Sequence, residues 1–203
     1  MTNLTSMITG KETLYFIKYE DVARDYLMKN KTNFDLFAKY EGHIVEKGFF
    51  RFHTKGSSYI WTKYVSEFFK DYLNKIFCFG FDWMGRQFAA DFKDDIIYMF
   101  DSATGEVFQL KEGLTDFLQN ELITYKEETF NIDFFKQLYK LFETELTFSK
   151  CFGFKIPLFL NGEDEITNYE CIDMEVYWDV NYQLYNQINN IPGGTLINSP
   201  NID

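Results

Sequence analysis

The sequence predicts an α+β domain built on a central antiparallel twisted sheet, a meander of about four to six strands, with helices packed on one face. Three observations carry this reading. Residues 76–81, 87–92, 96–101 and 106–110 are short segments rich in Phe, Ile and Val, separated by Gly, Asp and Ser clusters. Connections this short leave no room for crossover helices, so consecutive strands must be antiparallel neighbours. Helical periodicity lies before and after the strands rather than between them, which is the α+β order. Finally, 203 residues with 46% hydrophobic and 25% charged content suit one globular domain with a sizeable core.

Taken in order, residues 20–28 read as a short helix with Val22, Ala23, Tyr26 and Leu27 on one side. Phe34, Phe37 and Tyr40 lead to Gly42 without a readable period, and residues 48–52 look extended. A turn is expected at Lys55-Gly56-Ser57-Ser58, with Ser58 capping the next helix. From 59 to 73, Trp61, Tyr64, Val65, Phe68, Phe69 and Tyr72 recur at spacings of three and four, the pattern of an amphipathic helix. Within the meander, Asp94-Asp95 and Ser102-Ala103-Thr104-Gly105 supply turn chemistry, Gly105 being suited to positive φ.

A helix over 115–123 is expected with Thr115 as N-cap, and a longer one opens at Asn131 with Phe134, Phe135, Leu138, Leu141 and Phe142 buried. Residues 156–162 approach a turn in extended form, and Glu163-Asp164-Glu165 forms an acidic run. Residues 173–188 alternate like a strand and also repeat at four; their length favours a helix. Pro192-Gly193-Gly194 is a stop signal, 195–197 a final edge strand and 198–203 a frayed tail. With helices on one face only, the sheet's other face is left as a partner surface.

Composition narrows the function classes. Net charge is −11, so direct binding to a nucleic-acid backbone is opposed, whereas a cationic partner is attracted. Aromatic content of 20% serves cores and interfaces alike, and AT-rich codons account for part of the excess. Cys78, Cys151 and Cys171 are odd in number, widely spaced and set in apolar segments, which reads as reduced thiols in a cytoplasmic protein. The only histidines, His43 and His53, stand far from any cysteine pair, so no metal is expected. Residues 1–10 lack the basic and apolar regions of a signal peptide, and no apolar run approaches a membrane span.

No catalytic constellation emerges. Asp82, Asp91, Asp101, Glu106 and Asp173 could pair as acid and base in a small hydrolase-like enzyme, but acids at strand ends and turns commonly cap backbone groups or stay in water. Neither histidine sits in a nucleophile motif, and single glycines such as Gly80 and Gly153 do not make a phosphate loop. No cofactor is implied. Asp82 and Arg86, four apart around Trp83 and Gly85, can pin a sharp turn with the arginine stacked on the ring.

Trp61, the segment 79–89 (Phe-Gly-Phe-Asp-Trp-Met-Gly-Arg-Gln-Phe-Ala), the turn from Phe100 to Val107 containing Gly105, and Pro157-Leu158-Phe159-Leu160-Asn161-Gly162 resemble bacterial proteins of the SUKH-like group. The nearest in kind are type VI secretion immunity proteins with a GAD-like N-terminal part. The likeness runs over about 41–198, and Asp82, Trp83, Gly85, Arg86 and Gln87 are its most specific residues; residues 1–40 form a helical part outside it. It implies a non-enzymatic immunity protein that binds and neutralises a cognate secreted toxin or effector, often a cationic nuclease. A housekeeping scaffold of the same fold is a further alternative. From charge alone, Asp94, Asp95, Glu163, Asp164 and Glu165 are the candidate toxin-facing acids. Oligomeric state is not legible.

Overall fold

The structure, a computed structural model, describes residues 3–11, 31–91 and 93–189. Phe92, the helix expected over 20–28, the stop at 192–194, the edge strand at 195–197 and the tail all lie outside the described residues. The class is the expected one, but the sheet is larger than four to six strands: seven run in sequence order β1 to β7, every neighbouring pair antiparallel. They are β1 (Ile8–Lys11), β2 (His43–Val45), β3 (Phe50–Phe52), β4 (Ile76–Asp82), β5 (Gln87–Asp91), β6 (Ile96–Asp101) and β7 (Glu106–Glu112). A separate hairpin pairs β8 (Lys150–Phe154) with β9 (Tyr169–Asp173).

Helices are α1 (Leu4–Met7), α2 (Lys31–Tyr40), α3 (Lys55–Phe68), α4 (Leu114–Asp116), α5 (Lys126–Phe130), α6 (Ile132–Phe142) and α7 (Met174–Asn189). The ambiguous stretch at 173–188 is thus the helix α7. Between α4 and α5, Phe117–Thr124 runs as a π-helix. Two expected caps are corrected. Thr54, not Ser58, caps α3 in a reciprocal capping box with Ser57, and the expected turn at 55–58 is already helical; Ser58 is buried and donates to the Cys78 carbonyl. Thr115 lies inside α4, whose N-cap is Gly113. On α6 the buried stripe is Ile132, Phe135 and Leu138, while Leu141 is exposed.

The helices cover both faces of the sheet, so the free sheet face expected for a partner does not exist among the described residues. All seven residues of β4 are buried. On one face, Phe50, Phe79 and Phe88 pack against Phe117 of the π-helix at 5.2–5.6 Å between ring centroids, and Phe37 of α2 meets Phe77 at 5.1 Å. On the other, His53 meets Trp61 of α3, Phe69 and Tyr72 just after α3 meet Phe100 at 5.2 and 4.9 Å, and Arg51 and Phe81 face the segment 147–150. Trp178 of α7 closes edge-on over Trp61 at 5.7 Å.

A bulge explains how β4 feeds both sides. Its register with β5 shifts between Cys78 and Gly80, leaving Phe79 as the extra residue. Phe79 and Gly80 therefore both turn toward the Phe50 side, and Phe81 changes to the opposite face. A Cβ on Gly80 would lie 2.6 Å from the Phe50 ring, so only glycine admits that ring. Each fully buried Phe contributes about 1.5–3 kcal/mol, and this bulge lets adjacent aromatic positions serve two cores.

Candidate functional site

Asp82, Trp83, Gly85, Arg86 and Gln87 meet at the β4–β5 corner. Asp82 closes β4; its Oδ1 accepts from the backbone N–H groups of Met84 and Arg86, both at 3.0 Å, and its Oδ2 accepts from Arg86 Nε at 2.6 Å. Gly85 takes φ +80, and a Cβ there would meet Cys151 Sγ at 3.1 Å, so the turn demands glycine twice over. Arg86 Nη2 donates to the Thr129 carbonyl and Trp83 Nε1 to that of Phe130, tying the corner to α5. Trp178 Nε1 donates to the Gly85 carbonyl, tying it to α7, while Phe152 N donates to the Trp83 carbonyl, tying it to β8. The expected stacking of Arg86 on a ring is replaced by these bonds; the guanidinium over a ring is that of Arg51, 4.3 Å from Phe81.

Electrostatically the corner is a closed circuit. Burial pushes the Asp82 carboxyl up, while Arg86 and its hydrogen bonds pull it back. Burial lowers Arg86, but Asp82 and Asp101 more than offset this and hold it above its ordinary value. The charge-assisted bond at 2.6 Å makes the ionised pair the state that this geometry stabilises. Nearby, Arg51 is fully buried on β3, and its two terminal nitrogens donate to the carbonyls of Thr147, Lys150 and Asp82. Burial lowers its pKa to about 10.

Next to the corner, Gln87 Oε1 lies 2.8 Å from His53 Nε2, and Ser57 Oγ lies 3.2 Å from His53 Nδ1. With Nε2–H donating to Gln87, Nδ1 is left to accept from the serine hydroxyl. Burial pushes His53 down to about 3, outweighing the Gln87 hydrogen bond. A histidine this reluctant to protonate is a poor general base near neutrality, and Ser57 Oγ is already part of the α3 capping box.

A cleft of about 190 Å³ opens beside this group, lined by His53, Ser57, Trp61, Phe148, Met174 and Glu175 among others. A second, of about 440 Å³, lies against α6 and includes Glu46, Lys47, Lys136 and Tyr139. Its charges are already engaged: Glu46 with Lys126 at 2.9 Å, Lys136 with Asp133 at 2.8 Å, and Lys47 over the Tyr139 ring.

The structure thus joins Asp82, Trp83, Gly85, Arg86 and Gln87 at one corner, and sets Trp61 against its ring partners His53 and Trp178. Gly105 closes the β6–β7 turn at φ +70, at the same end of the sheet. The candidate toxin-facing acids are not brought together. Asp94 and Asp95 sit in the β5–β6 turn, at the end of the sheet opposite the β4–β5 and β6–β7 turns. Glu163, Asp164 and Glu165 come after Phe159, whose N–H bonds to the Ala103 carbonyl at the corner end. Asp94, Glu163 and Glu165 are exposed, but the Asp95 carbonyl accepts from Gly113 N at 2.6 Å and Asp164 accepts from the Tyr169 hydroxyl at 2.6 Å.

The acids weighed for hydrolysis serve the backbone. Asp101 Oδ1 accepts from Ala103 N, Asp91 Oδ1 from Lys93 and Asp94 N, and Asp173 Oδ1 from the first turn of α7; Glu106 is exposed. Sequence reasoning missed Arg51 and the pairing of His53 with Gln87; a charged residue and a histidine alternating with Phe50 and Phe52 were the available signal.

Among the described residues, no helix is long and apolar enough to cross a membrane. No family model matches the chain, and no curated protein matches it. A solved crystal structure, that of Atu4351 from Agrobacterium tumefaciens, is similar at a TM-score of 0.61 and 16% identity, over 88% of this chain and 86% of that one. At this identity the likeness shows a shared fold.

Proposed function

We propose that this chain is a cytoplasmic immunity or interaction protein that binds and neutralises a cognate secreted toxin without chemistry of its own. The observation that carries the reading is the corner: Asp82, Trp83, Gly85 and Arg86 spend their polar groups on one another and on separate elements of the fold. Residues used this way support a scaffold whose activity is presentation of a surface. The net charge of −11 favours a cationic partner such as a nuclease, since complementary charge speeds encounter and penalises wrong partners.

The paired-carboxylate enzyme is the weaker reading, because Asp82 is bonded to Arg86 and neither the α6 cleft nor the one beside His53 is lined by Asp82 or Asp101. The test is co-expression with a toxin encoded immediately upstream of this chain. Cells carrying both are expected to survive and the two proteins to co-purify; equal killing with and without this chain would overturn the proposal.

A further inference from the structure

We propose that the cleft between α3, the Thr147–Ser149 loop and the start of α7 receives a lysine or arginine side chain of the protein partner, with Glu67, Glu175 and Asp179 as its acidic rim. The inference rests on the immunity reading for the existence of a partner and adds where and how that partner is gripped.

Size comes first. At about 190 Å³ the cleft is below the roughly 300–1,000 Å³ of sites for drug-sized ligands, and it suits one long side chain. Its walls come next. Trp61, Phe81, Phe148 and Met174 give an apolar and aromatic surface that takes an alkyl stem and favours a cation over a ring. His53 at the floor is kept neutral by burial and so does not repel a positive charge. Arg51, stacked on Phe81, gives its two terminal nitrogens to the carbonyls of Thr147, Lys150 and Asp82, while its Nε has no partner among the described residues and its field still reaches His53, so the acidic rim must outweigh it.

The rim then sets the sign. Glu175 lines the cleft, and Asp179 comes one helical turn later on the same exposed face of α7, with Val176 52% exposed beside them. Glu67 is exposed on α3, three positions after Tyr64 and so on the same side of that helix. Tyr64 lies between, 5.4 Å from Trp61; partial burial raises its hydroxyl, and the fields of Glu175, Asp179 and Glu67 raise it further. Among the described residues, no lysine or arginine lines the cleft. An apolar slot with an acidic rim, in which Asp179 Oδ2 also accepts from Gln183 Nε2 at 3.2 Å, has the form of a hot-spot pocket for a cationic anchor. The larger cleft on α6 lacks this bias, since its charges are already paired.

Two kinds of variant test this, and both alter exposed side chains. The triple charge reversal Glu67→Lys, Glu175→Lys, Asp179→Lys removes the rim, and Ser149→Trp plugs the opening. Each is expected to weaken the Kd for the toxin encoded upstream by about tenfold or more, while Glu163→Lys with Glu165→Lys changes it by less than about threefold. Wild-type affinity in both the triple variant and Ser149→Trp would overturn the docking site and leave the immunity reading standing. If the wild type fails to bind the toxin, the immunity reading falls, and a hexa-arginine peptide decides the cleft. A shift of the Trp61 indole resonance that is absent from the triple variant sustains it; no shift, or the same shift in both, overturns it.

Discussion

The β4–β5 corner and the α3–α7 cleft adjoin through His53 and Gln87, yet they manage polarity in opposite ways. At the corner, each charge meets its partner inside the fold: Asp82 with Arg86, and both with backbone groups. At the cleft, Glu175 lines an aromatic slot and is exposed, as are Asp179 on the same helix and Glu67 on α3. The difference teaches where each region's free energy resides. The corner is spent on holding the fold, whereas the rim of the cleft has interactions still to make.

That contrast breaks most readily at Trp83. Trp83→Ala removes a fully buried ring and its hydrogen bond to Phe130, and is expected to lower unfolding stability by about 3–5 kcal/mol in chemical denaturation. A loss below about 1 kcal/mol would return the segment to the functional surface. Arg86→Met should cost a similar amount, about 3–5 kcal/mol at neutral pH, because it strands a buried carboxylate. The deficit relative to wild type should narrow in acid, where Asp82 is protonated and needs no partner.

His53 tests the boundary between the two regions. Its folded pKa of about 3 lies below the unfolded value of 6.5, so the unfolded chain binds the proton first. Stability from this group is present above pH 6.5 and is lost as pH falls toward 3, by up to about 4–5 kcal/mol. His53→Gln should flatten that part of the stability profile measured by denaturation at stepped pH; an unchanged slope would contradict the burial argument. The smallest effect belongs to the rim. Glu175→Gln and Asp179→Asn should each move stability by no more than about 0.5 kcal/mol, since both side chains are exposed. A larger loss would show that the rim supports the fold as the corner does.

How much of this was legible depends on how local the cause is. The meander from β4 to β7 shows in the chain because Phe, Ile and Val runs alternate with turns only a few residues long. The Asp82–Arg86 pair shows because its partners are four residues apart. The hairpin of β8 and β9 did not show: Cys151 and Ile172 become neighbours only across the long connection through Pro157 and Asn161. The π-helix escaped because Phe117, Leu118 and Leu122 fit an α-helical period equally well. Thr54 and Ser58 are chemically alike as caps, and only the backbone path selects Thr54. The rim was overlooked for a related reason. Glu67 and Glu175 are ordinary surface acids until the fold brings α3 and α7 together, while the conspicuous acidic runs at 94–95 and 163–165 end up at opposite ends of the sheet.

The bond from Trp178 to Gly85 spans 93 positions in the chain, and that from Arg51 to Lys150 spans 99. The corner is therefore an assembly with a fixed order in time. While the chain is being synthesised, the meander can pair as soon as it emerges, but Arg51 and Gly85 must wait for β8 and α7. Until then Arg51 lacks two of its three carbonyl partners and an aromatic face lies open, a state that invites aggregation or chaperone capture. A chain broken off before Lys150 would be held in that waiting state. The last quarter of the sequence thus acts as the latch that makes the rest safe to leave in water.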